Sequence, residues 1–185
     1  MTFIQIIKRT VEISRPVFWP STFFAFILGV LFSHYTLSSG LLLYAFLWSF
    51  PYSLWICTVN DLADTDTDEL NVNKGGISGA KISTKEYRFI KKLQWISLFV
   101  IIFPIISTNN YILIIVSIAA LAIPYIYSTY PIRMKERPPL DSLCNGGFVA
   151  CVFLAGYVFS YPIRFDSLFY EAFFAFILEF QQSIS

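Results

Sequence analysis

"GLLLYAFLWSFPYSLWICTV", residues 40–59, is a run of twenty positions without a charged side chain. A helix needs about 20 apolar residues to cross the hydrocarbon core of a bilayer, which is about 30 Å thick. This run therefore predicts a transmembrane helix.

Similar apolar stretches occur on both sides of this run. They lie at residues 17–35, 93–107, 111–128, 143–160 and 167–180, the last being shorter than a full span. The 185-residue chain is 56% apolar and only 14% charged, which is more apolar surface than a soluble domain of this size buries. We predict an all-α, multi-spanning transmembrane helical bundle of five to six helices, forming one domain over residues 1–185.

The remaining composition argues against several other functions. The net charge is +1 and the basic residues are dispersed, so we expect no nucleic-acid partner. The three cysteines lie inside apolar stretches without CxxC spacing, and we expect them to pack as small hydrophobic side chains. We expect membrane lipid to be the medium around the bundle.

The distribution of lysine and arginine predicts the orientation in the membrane. All thirteen except Arg164 lie before the first span, between the second and third, or between the fourth and fifth. Lysine and arginine are enriched in cytoplasmic loops. We expect a multi-pass protein of the plasma (inner) membrane, with the N-terminus and these two loops at one cytoplasmic mouth.

An acidic stretch, "NDLADTDTD" at residues 60–68, follows the charge-free run directly. If the helix continues through it, Asn60, Asp64 and Asp68 share one face, Asp61 flanks them and Asp66 points elsewhere. Amide and carboxylate oxygens are hard ligands of the kind that Mg²⁺ binds. The stretch therefore suggests a magnesium site at the membrane surface.

The acidic stretch is compatible with two roles besides a magnesium site. A solvated acidic loop stays open, since charge runs are commonly solvated. A cation pathway through a transporter or channel also stays open, because ionisable residues at membrane depth are often functional. A calcium-binding EF-hand loop starting at Asp64 is excluded, because Glu69 replaces the glycine of its sixth position and Gly75 the glutamate of its twelfth.

Three motifs resemble those of the UbiA superfamily of intramembrane prenyltransferases. "NDLADTDTD" has the NDxxDxxxD form of the first aspartate-rich motif of that family. "NKGGISGAKIS", residues 73–83, is similar to the basic segment that follows it, with Gly75 or Gly76 in place of a proline. "YSTYPIRMKERPPLDSLCNGG", residues 127–147, is similar to the tyrosine and lysine loop after the fourth helix, most closely in the branch containing lycopene elongases.

The resemblance implies a reaction and a set of site residues. The reaction is Mg²⁺-dependent transfer of a polyprenyl group from an isoprenoid diphosphate to a lipophilic acceptor, with release of pyrophosphate. By position in the motifs, the implied metal ligands are Asn60, Asp61, Asp64 and Asp68. The implied catalytic residues are Asp64, Asp68, Tyr127 and Lys135, and the implied diphosphate-binding residues are Arg15, Lys74, Arg133 and Asn145.

The resemblance also implies segments that this sequence does not contain. Family members have about nine helices and a second motif, DxxxD, whereas we find five to six helices and no DxxxD after them. We therefore expect a chain that is incomplete after its sixth helix, and a catalytically inactive fragment stays an alternative. Tyr127 and Tyr130 have an alternative role in the interfacial aromatic belt, and Asp141 is expected to cap the fifth span.

Overall fold

The computed structural model describes residues 2–33, 36, 38–64, 83–138, 140–159, 170 and 177. Within these residues it contains α-helices and short 3-10 turns but no strand, which confirms the all-α prediction. The α-helices are α1 (Phe3–Ile13), α2 (Trp19–Phe32), α3 (Ser39–Leu47), α4 (Phe50–Ala63), α5 (Tyr87–Ile106), α6 (Tyr111–Ser128) and α7 (Leu140–Phe159).

Four helical segments are long and apolar enough to cross a bilayer, as expected of an integral membrane protein. They are α3 with α4, α5, α6 and α7, and the bent pair of α1 and α2 is a fifth candidate. The span that we expected to begin at residue 93 begins at Tyr87. The proposed sixth span, residues 167–180, and Arg164 lie outside the described residues apart from Tyr170 and Ile177.

Helix α1 was not predicted from the sequence. Its first turn is closed by a capping box, in which Thr2 and Gln5 exchange hydrogen bonds between side chain and backbone. One face carries the exposed apolar side chains of Phe3, Ile4 and Ile7. The axes of α1 and α2 meet at 53°, so α1 turns away from the direction of the span.

The span of residues 40–59 is interrupted rather than continuous. Helix α3 ends at Leu47, and α4 begins at Phe50 after Ser49, whose φ and ψ are both −96°. Pro51 has no N–H to donate to the carbonyl of Leu47, so the helix breaks there. Beyond the break, α4 runs to Ala63, four residues farther than the apolar run.

Helices α2 and α7 cross in very close contact because each has a glycine at the crossing. A Cβ atom added to Gly29 would lie 2.0 Å from the carbonyl oxygen of Phe153. A Cβ atom added to Gly156 would lie 2.1 Å from the carbonyl oxygen of Phe26. Small residues let helix backbones approach closely in membranes, so this reciprocal pair fixes the distance between the two helices.

Helix α4 is bound to α6 by two side-chain hydrogen bonds at a proline. Pro124 lies inside α6 and leaves the carbonyl of Ala120 without its usual intrahelical donor. The hydroxyl of Tyr52 donates to that carbonyl at 3.0 Å. The indole of Trp55 donates to the carbonyl of Leu121, also at 3.0 Å, so α4 satisfies the backbone where α6 is weakened.

Candidate functional site

The described part of the acidic motif, residues 60–64, lies at the end of α4, and its first residue, Asn60, lines a cavity between α2, α4, α6 and α7. Asp64 is the C-cap of α4, so the expected continuous helix can be followed only to this residue. The cavity has a volume of about 340 Å³. Its polar lining residues include Arg15, Ser53, Asn60, Tyr127 and Asn145.

Asp64 is held by two cations from the loop between α6 and α7. Nη2 of Arg133 donates to Oδ1 of Asp64 at 3.0 Å, and Nζ of Lys135 contacts both carboxylate oxygens at 2.5 Å. All three side chains are at most 15% exposed. The partly buried cluster therefore joins two motifs that are about seventy residues apart in the sequence.

Asn60 faces the same cluster from the last full turn of α4. Its Oδ1 accepts hydrogen bonds from Ser128 and from Nζ of Lys135, each at 3.3 Å. The oxygens of Asn60 and Asp64 thus lie within reach of one positively charged atom. Both are hard donors of the kind that Mg²⁺ takes, so these two residues fit a magnesium ion.

Asp61 has different surroundings. Its side chain is completely buried, and its Oδ1 accepts a hydrogen bond from Nη2 of Arg15 at 2.9 Å. Arg15 lies at the bend between α1 and α2, and its backbone is left-handed, with φ of 50°. A role of Asp61 in metal binding stays a prediction, and it requires this ion pair to open.

The two arginines that bind the motif have unusual backbone conformations. Arg15 has φ of 50° and Arg133 has φ of 42°, in the left-handed region that costs a residue with a Cβ atom about 1 kcal/mol or more. Such strain persists only where the surrounding structure enforces it, and it clusters at ligand sites. Both residues present a guanidinium group to an aspartate of the motif.

Tyr127, on α6, lines the cavity. Its hydroxyl donates to Oδ1 of Asp141 at 2.8 Å, and Nδ2 of Asn145 reaches the same oxygen at 3.4 Å. The ring of Tyr127 meets that of Phe148 edge to face, with centroids 5.3 Å apart. Asp141, expected as a helix cap, is the second residue of α7, and its carboxylate orients two residues of the cavity lining.

Some residues implied by the motifs are not in the described part of the chain. Asp66, Asp68 and Lys74 lie outside the described residues, so their roles stay predictions. Among the residues that are described, no three histidine, cysteine or acidic side chains converge as a metal cluster. Of the four expected metal ligands, Asn60, Asp61 and Asp64 are described; Asn60 and Asp64 lie together, and Asp61 is paired with Arg15.

Sequence reasoning missed one contact at the site and one that attaches α1 to the bundle. Ser128 was not singled out, although its hydroxyl binds Asn60; its position directly after Tyr127 within the third motif was the available signal. The second is a two-pronged ion pair, in which Nε and Nη2 of Arg9 each donate to Glu86 at 2.9 Å. It connects α1 to the start of α5, and no local sequence pattern pairs two residues so far apart.

Comparison with known proteins gives relatives in one family. The sequence matches the model of the UbiA prenyltransferase family over residues 18–181. It is 29% identical to a lycopene elongase/hydratase of Corynebacterium glutamicum over 140 residues, which cover 71% of this chain and 46% of that protein. It is also 29% identical to a lycopene elongase/hydratase of Haloarcula japonica over 147 residues, 75% of this chain and 47% of that protein.

The chain thus spans about half the length of the curated relatives that it matches. No solved structure matches it significantly. The family match covers most of the chain, including both motifs that meet at Asp64 and the helices that line the cavity. The chain belongs to the UbiA prenyltransferase family.

Proposed function

We propose that this chain binds the diphosphate of an isoprenoid donor at the mouth of its cavity and takes part in transferring the prenyl group to a lipophilic acceptor. The observation that carries the proposal is the cluster of Asn60, Asp64, Arg133 and Lys135 beside an apolar cavity. A charged group bound at the mouth leaves its hydrocarbon chain in the membrane-embedded part of the bundle.

Basic side chains supply the anion-binding part of the site. Arg133 and Lys135 donate to Asp64, and we infer that they turn to the diphosphate oxygens when the donor binds. Arg15 lines the same cavity from the bend between α1 and α2. We propose it as a third donor and Lys74 as a fourth. Donors aimed at developing negative charge in a water-poor site stabilise it, by about 3 kcal/mol each where they are preorganised.

Asn60 and Asp64 are the residues that would hold Mg²⁺, with Asp68 and, if its ion pair opens, Asp61. Mg²⁺ bound there would supply Lewis-acid neutralisation of the diphosphate charge. The carboxylate of Asp64 is released for this role when its two basic partners move to the substrate. The exchange of partners keeps charge balanced at each stage, because no buried carboxylate is left without a cation.

The reaction itself breaks one bond and forms another. The C–O bond of the allylic donor breaks with its electron pair going to the diphosphate, and a π bond of the acceptor attacks the allylic carbon. The acceptor then loses a proton to restore its charge. Aromatic rings stabilise a nearby cation by about 0.5–2 kcal/mol each, and Tyr127 with Phe148 places two rings in the cavity wall.

Family membership favours prenyl transfer over the transporter or channel alternative. The names of the relatives make lycopene, a hydrocarbon, one acceptor to test, beside lipophilic acceptors that carry a hydroxyl or carbonyl group. We also propose that the protein resides in the plasma (inner) membrane with the mouth of the site on the cytoplasmic side. The inactive-fragment alternative is separated from the proposal by measuring donor binding and turnover independently.

Donor binding and turnover are measured on membranes that contain the chain. We expect saturable binding of radiolabelled geranylgeranyl diphosphate that requires Mg²⁺, is competed by pyrophosphate and falls at least tenfold in Asp64→Ala. Asp66→Ala, in the same motif but predicted to face away, is the matched control. Pyrophosphate release with lycopene, or with a lipophilic acceptor that carries a hydroxyl or carbonyl group, measures turnover. Ion flux in proteoliposomes without any donor binding would overturn the proposal in favour of transport, and binding without turnover would assign the chain a binding role only.

A further inference from the structure

A buried hydroxyl in the cavity wall stands apart from the others in the described chain. Ser53 on α4 is 2% exposed and lines the cavity. Its Oγ has no hydrogen-bond partner among the described residues. Burying a hydroxyl without a partner is unfavourable, so such a group in a cavity wall indicates a bound polar atom.

Every other buried serine and threonine of the described chain donates a hydrogen bond. Five donate to a carbonyl of their own helix or turn: Ser14, Thr22, Thr58, Ser97 and Ser117. Ser49 donates to the carbonyl of Trp19, and Ser128 donates to Asn60. Bonding back to a helix carbonyl is the ordinary solution for a serine within a helix, and Ser53 does not adopt it.

The position of Ser53 gives the depth of this hydroxyl within the cavity. Ser53, Cys57 and Asn60 all line the cavity, because residues spaced by four and three lie on one face of a helix. Seven residues of helix separate Ser53 from Asn60, which corresponds to about 10 Å along the axis. Ser53 therefore lies well inside the bundle, away from the charged mouth.

The depth decides which substrate meets Ser53, and this step rests on the proposed function. An isoprenoid diphosphate carries its oxygens at the mouth, and the rest of the donor is hydrocarbon. A polar partner at the depth of Ser53 must then come from the acceptor. We propose that Ser53 is a hydrogen-bonding subsite for a neutral oxygen, a hydroxyl or a carbonyl, within the lipophilic acceptor.

A trapped water molecule is the competing occupant. Buried waters typically make about three hydrogen bonds. The other serine and threonine hydroxyls of the cavity lining, those of Ser21, Thr22 and Ser128, already donate hydrogen bonds to other groups. The lining also includes the apolar side chains of Ile56, Phe148 and Val149. An acceptor oxygen needs only the one hydrogen bond from Ser53, because the remainder of the molecule packs against these apolar side chains.

Photo-crosslinking of the chain in lipid nanodiscs tests the subsite without donor, diphosphate or Mg²⁺. The two probes are octadecane and octadecan-9-ol, each with a diazirine at the same carbon, and labelling of α4 and α7 peptides is quantified by mass spectrometry. One additional hydrogen bond corresponds to about a five- to tenfold preference. We expect the alcohol to label the cavity with that preference in the wild type and in Ser97→Ala, whose hydroxyl bonds within α5.

The variants at Ser53 separate the subsite from general packing. We expect Ser53→Ala to reduce the preference to within twofold of unity, with octadecane labelling unchanged. Ser53→Thr and Ser53→Val have nearly the same shape, and only the threonine is expected to keep the preference, so this pair decides the matter even if alanine perturbs the fold. Equal labelling by the two probes in the wild type overturns the proposal. A preference that survives in both Ser53→Ala and Ser53→Val assigns it to water or to another group, and overturns it as well.

The result is independent of whether prenyl transfer is observed. If donor binding fails but the alcohol preference holds, Ser53 is a lipid-hydroxyl subsite and the proposed reaction is wrong. If donor binding holds but the preference is absent, the cavity accepts hydrocarbon alone and the acceptor needs no internal oxygen. Donor binding therefore tests the proposed function, and the labelling preference tests the Ser53 subsite, each independently of the other.

Discussion

Tyr52 donates its phenolic hydrogen to the backbone carbonyl of Ala120 at 3.0 Å. Pro124, four residues later, has no N–H to donate to this carbonyl. The tyrosine is completely buried, and the bond links α4, which carries the acidic motif, to α6, which leads into the basic loop. In a bilayer each backbone polar group must be satisfied within the protein. The bond therefore holds the two helices that position the site.

We expect Tyr52→Phe to lower the free energy of unfolding by about 1–3 kcal/mol, because it leaves the carbonyl of Ala120 buried without a donor. Thermal unfolding in detergent measures the effect. Tyr111→Phe is the control, since Tyr111 is 78% exposed. Equal stability of the two variants would show that the proline-freed carbonyl finds another donor.

Gly29→Ala is expected to destabilise the protein by about 2–3 kcal/mol, in the range of overpacking substitutions. The new Cβ atom would meet the carbonyl oxygen of Phe153 at 2.0 Å, and a backbone atom cannot rotate away as a side chain does. Gly147→Ala is the control on α7, because its Cβ atom would meet only a side chain at 3.6 Å. The midpoint of thermal unfolding is measured for both variants. If Gly29→Ala has the same midpoint as the wild type, α2 and α7 can move apart at little cost in free energy.

The sequence predicts some of these features and not others, for physical reasons. The apolar runs give the spans because crossing a bilayer imposes length and composition locally. The meeting of Asp64 with Arg133 and Lys135 is consistent with the charge bias that places their loops at one mouth. The break before Phe50 has a local cause in Pro51, but its consequence depends on the tertiary packing.

The burial of individual side chains and their ion-pair partners cannot be predicted from sequence patterns. Asp61 and Asp64 are three residues apart in one motif, yet one is completely buried with Arg15 and the other is 14% exposed at the mouth. Which aspartate faces which arginine depends on how α1, α2 and the loop before α7 pack around α4. The unpartnered hydroxyl of Ser53 is likewise visible only once the cavity is formed.

Reporter fusions test the orientation. A reporter inserted after Lys81 is expected to be cytoplasmic and one after Asn109 external, because the basic residues cluster on the side of Lys81. Asn109 lies between α5 and α6, at the other end of the single span formed by α5. The reversed pattern would place the mouth of the site outside the cell and would contradict the proposed localisation.

The ion pair between Arg9 and Glu86 predicts an acid-sensitive attachment of α1. Burial by itself raises the pKa of the Glu86 carboxyl, but the Arg9 guanidinium and the Ser83 hydrogen bonds outweigh burial and hold the pKa below its usual value of 4.5. A lowered pKa contributes stability that is fully present above the usual value and is lost as the pH falls through the folded-state value.

We therefore expect α1 to become more accessible to proteolysis as the pH falls below about 4.5, the usual glutamate value. Glu86→Gln should show the raised accessibility already at neutral pH and little further change on acidification. Glu12→Gln is the control, because Glu12 is the more exposed acid that contacts Arg9. An unchanged acid response in Glu86→Gln would assign the sensitivity to another carboxylate.

The final prediction distinguishes the two aspartates by function. Asp61 is completely buried against Arg15, and removing one member of a buried ion pair costs about 3–5 kcal/mol because the other charge is left uncompensated. Asp61→Asn is thus expected to lower the free energy of unfolding by about 3 kcal/mol. Asp64→Asn, at the partly exposed mouth, is expected to have a smaller effect on stability and a larger one on Mg²⁺-dependent donor binding. Thermal unfolding and donor binding measured on both variants give the comparison. If Asp61→Asn keeps full stability and loses only Mg²⁺-dependent binding, Asp61 acts as a metal ligand and its contact with Arg15 is not what holds α4 to the bend between α1 and α2.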